Sequence, residues 1–180
     1  MTLPQGGGNE RLFFALWPDG AAAQALAELA AMLAPPLAGK PVPMEKIHLT
    51  LAFLGDVPAD SLERAIAAGD AVRASAFVLS LDHVGAFSRA RVAWAGSDAV
   101  PAGLETLHGE LREAIVGREL PVEERAFAPH ITLVRKIGGP LPQTSLPRPI
   151  SWEAEAFSLM RSELGTGRYS TLAAWDLAPR

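Results

Sequence analysis

Apolar and polar positions along the chain fall into short blocks, and the period of each block predicts an element. Residues 11–17 (RLFFALW) are almost wholly apolar and stop at Pro18-Asp19-Gly20, which predicts a buried strand followed by a turn. Residues 21–33 are rich in alanine and leucine and predict a helix that ends before Pro35-Pro36. A second strand is expected over 46–54, closed by Gly55-Asp56. Residues 58–74 have helical spacing, with Leu62 and Ile66 inward. Residues 77–87 and 91–95 predict paired strands turned around Ser88-Arg89-Ala90. Over 101–116, Leu104, Leu107, Leu111 and Ile115 form one helical stripe. A strand over 127–137 precedes a loop rich in proline (Pro140, Pro142, Pro147, Pro149). Strands over 152–161 and 169–177, joined around Gly165-Thr166-Gly167, end the chain.

Strands interrupted by three helices predict an α+β fold with mixed or antiparallel pairing. A strand-helix-strand unit ending in His-x-Thr-Leu occurs twice, at 48–51 and 130–133. This points to duplication and to a single bilobal domain over 1–180, with one motif in each half.

Composition narrows the chemistry. Of 180 residues, 49% are hydrophobic and 20% charged, which suits a folded domain and not a disordered chain. The absence of cysteine removes disulfide scaffolds, thiolate zinc sites and cysteine nucleophiles. A net charge of −4 argues against coating a long stretch of nucleic acid. It leaves room for a single phosphate or one nucleic-acid end. No run of eighteen apolar residues is present, and the N-terminus lacks the basic start of a secretory signal. Residues 1–10, with Gly6-Gly7-Gly8, are expected to be a flexible lead-in. A cytoplasmic monomer is the expectation.

The chain has four histidines, and two stand in one phrase: HLTLAFLG from His48 and HITLVRKIG from His130. On a strand, residues i and i+2 share a face. His48 with Thr50, and His130 with Thr132, therefore present an imidazole and a hydroxyl to one side and apolar residues to the other. With seven threonines in the chain, chance places one at i+2 of two given histidines only about once in several hundred. Two such strands side by side would gather two imidazoles and two hydroxyls in one cleft. A neutral imidazole takes a proton and an imidazolium gives one, both near neutral pH. Threonine hydroxyls donate to phosphate oxygens. Two histidines without an associated carboxylate or cysteine are too few for a metal site, and no metal or cofactor is expected.

These paired motifs resemble the signature of the 2H phosphoesterase superfamily. With RLFFALW early and SLMRSELGTGRY late, the chain is similar to the RNA 2′,3′-cyclic phosphodiesterases, also called 2′-5′ RNA ligases, over roughly residues 11–177. The resemblance implies a bilobal fold with the cleft between the lobes. It implies hydrolysis of a terminal 2′,3′-cyclic phosphate to a 2′-phosphate, and the reverse joining reaction. It also implies that His48 protonates the 3′ leaving oxygen while His130 activates water; the near-symmetric motif by itself leaves these roles open.

Arg135 matches a family arginine near the phosphate. Five residues beyond His130, it faces away on a flat strand and reaches the cleft only through a bulge. Phe53 has the opposite parity to His48 and is read as core, although the resemblance implies aromatic residues near the base. Tyr169 is either structural or cleft-lining. Two alternatives keep the resemblance and change the function. One is a small substrate (a cyclic nucleotide, an ADP-ribose cyclic phosphate or a 2′-5′ oligoadenylate), and the other is a non-catalytic RNA-end binder. A basic groove favours RNA, and a closed neutral pocket favours a small ligand. His108-x-Glu110 lacks the Pro-Cys-x-x-Cys partner of zinc deaminases. His83 has no partner motif, and no phosphate loop or Gly-x-Ser-x-Gly elbow occurs.

Overall fold

The structure, a computed structural model, describes residues 9–180. The first apolar block forms β1 (Asn9–Leu16). It starts inside the expected lead-in, because Asn9 and Glu10 already pair with Pro58 and Val57. Residues 1–8 of that lead-in, with the three glycines, lie outside the described residues. Asp19 Oδ1 accepts the N–H of Ala22 at 2.8 Å and caps α1 (Gly20–Leu33). There follow β2 (Lys40–Pro41), a 3-10 turn over Met44–Lys46, β3 (Leu49–Pro58), α2 (Ser61–Asp70) and β4 (Phe77–Phe87). The chain continues through β5 (Val92–Gly96), α3 (Ala102–Val116), β6 (His130–Arg135), β7 (Thr144–Ala154), β8 (Ala156–Ser162) and β9 (Tyr169–Asp176).

The strands form one sheet in the order β7-β4-β5-β6-β3-β1-β8-β9, with β2 on the end of β6. Every pairing between these strands is antiparallel, so the mixed alternative falls away. Three helices on this sheet make an α+β fold. Two four-stranded halves, β7-β4-β5-β6 and β3-β1-β8-β9, meet through the residue pair Leu49–Ile131. The halves of the sheet are not the halves of the chain. After α2 the chain crosses to β4 in the far half, and β8 and β9 return to flank β1. One apolar cluster, from Leu12, Phe14 and Leu16 to Leu104, Leu107, Leu111 and Ile115, fills the space between the sheet and the helices. α1 lies against β6 and β7, and α2 against β3, β8 and β9, so helices brace both halves. Among the described residues, no helix is long and apolar enough to cross a membrane.

The expected proline-rich loop is partly strand. Pro147 and Pro149 lie within β7, which among the described residues pairs only with β4. An edge strand tolerates proline because one row of its N–H groups has no ladder to complete. Both prolines also sit where the ladder skips, between Leu81–Ile150 and His83–Ser145. The expected strand over 152–161 breaks at Glu155 into the ends of β7 and β8, which belong to opposite halves of the sheet.

Gly69 fixes how closely α2 approaches β9. A Cβ there would lie 2.3 Å from the Trp175 ring, and Trp175 Nε1 donates to Asp70 Oδ1 at 2.7 Å. Gly69→Ala therefore overpacks this contact. It should lower stability by about 1–3 kcal/mol, read as a lower denaturant midpoint with unchanged m-value.

Candidate active site

The Leu49–Ile131 pair places the two motifs. Both residues are 0% exposed and face the helices. Counting one residue outward in this antiparallel register sets His48 beside Thr132 and Thr50 beside His130. The four side chains thus form a two-by-two block on the face away from the helices, all partly exposed.

Each histidine is oriented by the carbonyl two residues before it. His48 Nδ1 lies 2.8 Å from the Lys46 carbonyl oxygen, and His130 Nδ1 lies 2.8 Å from that of Ala128. A carbonyl only accepts, so each Nδ1 donates. In the neutral ring the proton therefore sits on Nδ1 and the lone pair on Nε2. His48 Nε2 accepts from the Thr50 hydroxyl at 3.1 Å.

The rings differ in their packing. His48 is enclosed by Phe13 (centroids 5.1 Å apart), Trp17 (5.1 Å) and the edge-on Tyr169 ring (5.7 Å). Phe13, Ala15 and Met160 form a small second apolar cluster on the cleft face, with Trp17 and Tyr169 against it. His130 meets the edge of Phe87 at 4.9 Å, and Phe87 tilts against Trp94 at 5.2 Å. Trp94 lies flat because Gly85 and Gly96 have no Cβ; one at either site would come within 2.6 or 2.8 Å of the indole. Burial pushes the His48 pKa below its ordinary value, outweighing the upward pull of the Lys46 carbonyl, and Arg135 and then His130 push it lower. The free protein therefore holds His48 as neutral imidazole at pH 7.

Two bulges decide what else reaches the cleft. Along β3, Thr50 pairs with Ala15 and Ala52 with Phe14, so Leu51 is extra. Along β6, Thr132 pairs with Trp94 and Val134 with Ala93, so Leu133 is extra. Each bulge falls on the leucine of a His-x-Thr-Leu motif and reverses the parity beyond it. The core reading of Phe53 is thereby overturned. Phe53 is 40% exposed and lines the cleft on the same side as His48. The same shift turns Arg135 toward the histidines, and its charge acts on His48. Phe53 and Arg135 are thus equivalent positions, each five residues beyond its histidine.

A cavity of about 530 Å³ opens beside Thr50 and His130. Its walls include Phe53, Phe87 and Phe127, with Arg89, Arg112 and Arg125 among them. His108 stacks on Phe127 at 3.8 Å, and burial, then Arg112, lowers its pKa. Glu110 Oε2 accepts the Arg73 backbone N–H at 2.6 Å. His83 is buried, with Nδ1 2.6 Å from Asp82 Oδ1 and its ring edge-on to Trp94.

Sequence reasoning missed Phe13, Trp17, Phe87 and Trp94 around the imidazoles. A weak signal existed in RLFFALW, where Phe13, Ala15 and Trp17 alternate with Leu12, Phe14 and Leu16. Both faces of that strand are apolar, which hid the alternation. The cavity residues of α3 and residues 122–128 have no local signal at all.

The family model described as LigT like Phosphoesterase matches residues 16–94. The chain is 34% identical over 172 residues to an RNA 2′,3′-cyclic phosphodiesterase of Escherichia coli (strain K12), covering 93% of this chain and 97% of that protein. It is 34% identical over 169 residues to one of Thermus thermophilus, covering 86% and 82%. The crystal structure of E. coli LigT complexed with 3′-AMP superposes with a TM-score of 0.84 at 34% identity, over 94% of this chain and 98% of that one.

The packing makes a titration prediction. Arg135→Gln removes a positive charge that opposes the His48 imidazolium, so the His48 pKa should rise. Histidine ring resonances followed by NMR across pH check this. An unchanged His48 midpoint would mean that Arg135 points elsewhere.

Proposed function

Because this chain belongs to the LigT-like phosphoesterase family, we propose that it hydrolyses a 2′,3′-cyclic phosphate at an RNA end to a 2′-phosphate, by acid-base catalysis from His48 and His130. The observation that carries this reading is the two-by-two block of imidazoles and hydroxyls around the Leu49–Ile131 pair. Relatives of similar length bear the name of that activity.

The mechanism follows from the ring orientations. The cyclic phosphate sits over the block, with Thr50, Thr132 and Arg135 around its non-bridging oxygens. These donors stabilise the charge that grows as water adds. His130 Nε2, carrying a lone pair, takes a proton from the attacking water. The P–O3′ bond breaks, and protonated His48 gives the Nε2 proton to O3′. The products are a free 3′-hydroxyl and a 2′-phosphate. Burial holds His48 neutral in the free protein, and the negative charge of the bound phosphate acts in the opposite direction. The substrate thus brings His48 toward the protonated form that the acid role needs. With a 5′-hydroxyl in place of water, the same groups form a 2′-5′ linkage. The step uses protons and hydrogen-bond donors alone, so it needs no metal.

Phe53 and Tyr169 line the two sides of this cleft, Phe53 beside the cavity and Tyr169 against His48. Guanidinium groups along an open cavity support an RNA end over a small cyclic phosphate, which a closed, neutral pocket would favour. We also read the protein as a cytoplasmic monomer.

His48→Ala and His130→Ala should each lower kcat about 10²–10⁴-fold on a short RNA ending in a 2′,3′-cyclic phosphate. Wild-type turnover should persist in excess EDTA, with phosphorus NMR reporting a 2′-phosphate. Binding without turnover would instead identify an RNA-end binder, and loss of activity in EDTA would reject the metal-free step.

A further inference from the structure

The cavity beside His130 has more positive charge than a nucleobase requires. Phe53, Phe87 and Phe127 give it an apolar lining suited to a base. Arg89, from the β4–β5 turn, and Arg112, from α3, are exposed and line the same space. Among the described residues, neither makes an ion pair or a side-chain hydrogen bond. Arg125 differs, because its Nη2 lies 2.8 Å from Glu123 Oε1. Two uncommitted guanidiniums therefore border a phosphate-handling site in a chain of net charge −4. Guanidinium binds phosphate oxygens with paired, directional N–H donors. The reactive phosphate already has Thr50, Thr132 and Arg135, so this second positive group is available to a different phosphate.

Resting on the cyclic-phosphodiester reading, we infer that Arg89 and Arg112 bind the phosphodiester on the 5′ side of the terminal nucleoside. The preferred substrate is then an RNA end of at least two nucleotides, not a cyclic mononucleotide. The two arginines come from separate elements, the β4–β5 turn and α3, so two independent supports hold the strand at this cavity. The groove on the other side of His48, with Lys46 and Arg168, also contains Glu45 and Glu163 and is balanced in charge.

The test compares kcat/KM for three substrates: adenosine 2′,3′-cyclic phosphate, its 5′-phosphorylated form, and the dinucleotide ApA ending in the cyclic phosphate. Wild type should prefer the dinucleotide over the cyclic mononucleotide by about tenfold or more, and added salt should erode that preference. Arg89→Gln combined with Arg112→Gln should reduce the preference about tenfold, and the double lysine variant should restore part of it. Retention of the full preference in the glutamine variant overturns the inference. So does its loss in Lys46→Gln combined with Arg168→Gln, which moves the strand to the other groove. A preference for the 5′-phosphorylated mononucleotide alone overturns the RNA strand as the ligand. Turnover of none of the three by wild type overturns the underlying reading, and this inference with it. A thermal melt of each variant separates misfolding from lost recognition.

Discussion

Leu49 and Ile131 face each other across the junction between β3 and β6, both sealed against the helices. Their burial sets the register of the two half-sheets, because a one-residue slip of either strand would turn that strand's aliphatic side chain to water and its histidine into the core. Imidazoles on the cleft face and an apolar underside are thus two consequences of one pairing. The helices reinforce it by packing on both half-sheets. A cleft that depends on a single pair of residues is thereby held by the larger core beneath it.

The bulges at Leu51 and Leu133 add what a regular ladder lacks. An uninterrupted strand would give each motif two cleft-facing residues and then bury every second residue beyond them in the wrong place. The extra leucine lets both Leu133 and Val134 remain in the core while Arg135 comes up beside the histidines. On the other strand it brings up Phe53. One duplicated irregularity thus delivers a cation from one half and an aromatic ring from the other. The same asymmetry marks the imidazoles. His48 is boxed by three rings, and His130 leans on one and stays open to the cavity. The close packing around His48 is what lowers its pKa.

Much of the fold was legible because local patterns and tertiary packing agreed. The stripe Leu104, Leu107, Leu111 and Ile115 is the buried face of α3, and β4 runs over the residues its alternation predicted. The misreadings arose where a local rule met a non-local one. Prolines read as loop because proline breaks ladders, yet an edge strand tolerates them beside a skipped register. Residues 152–161 read as one strand because nothing at Glu155 signals that the chain leaves one half of the sheet for the other.

By itself, the sequence determined the element types, the apolar faces and the repeated His-x-Thr-Leu phrase, because side-chain period and motif identity are properties of adjacent residues. It also determined that any bulge in the second motif would matter, since Arg135 has the wrong parity without one. Tertiary structure alone decided that the bulges exist, that they occur at the same leucine in both motifs, and that Phe53 leaves the core. It alone gathered Arg89, Arg112 and Phe127 around one cavity. A bulge depends on which partner strand supplies the facing residue, and a cavity on which distant segments meet, and neither is encoded within the span of a motif.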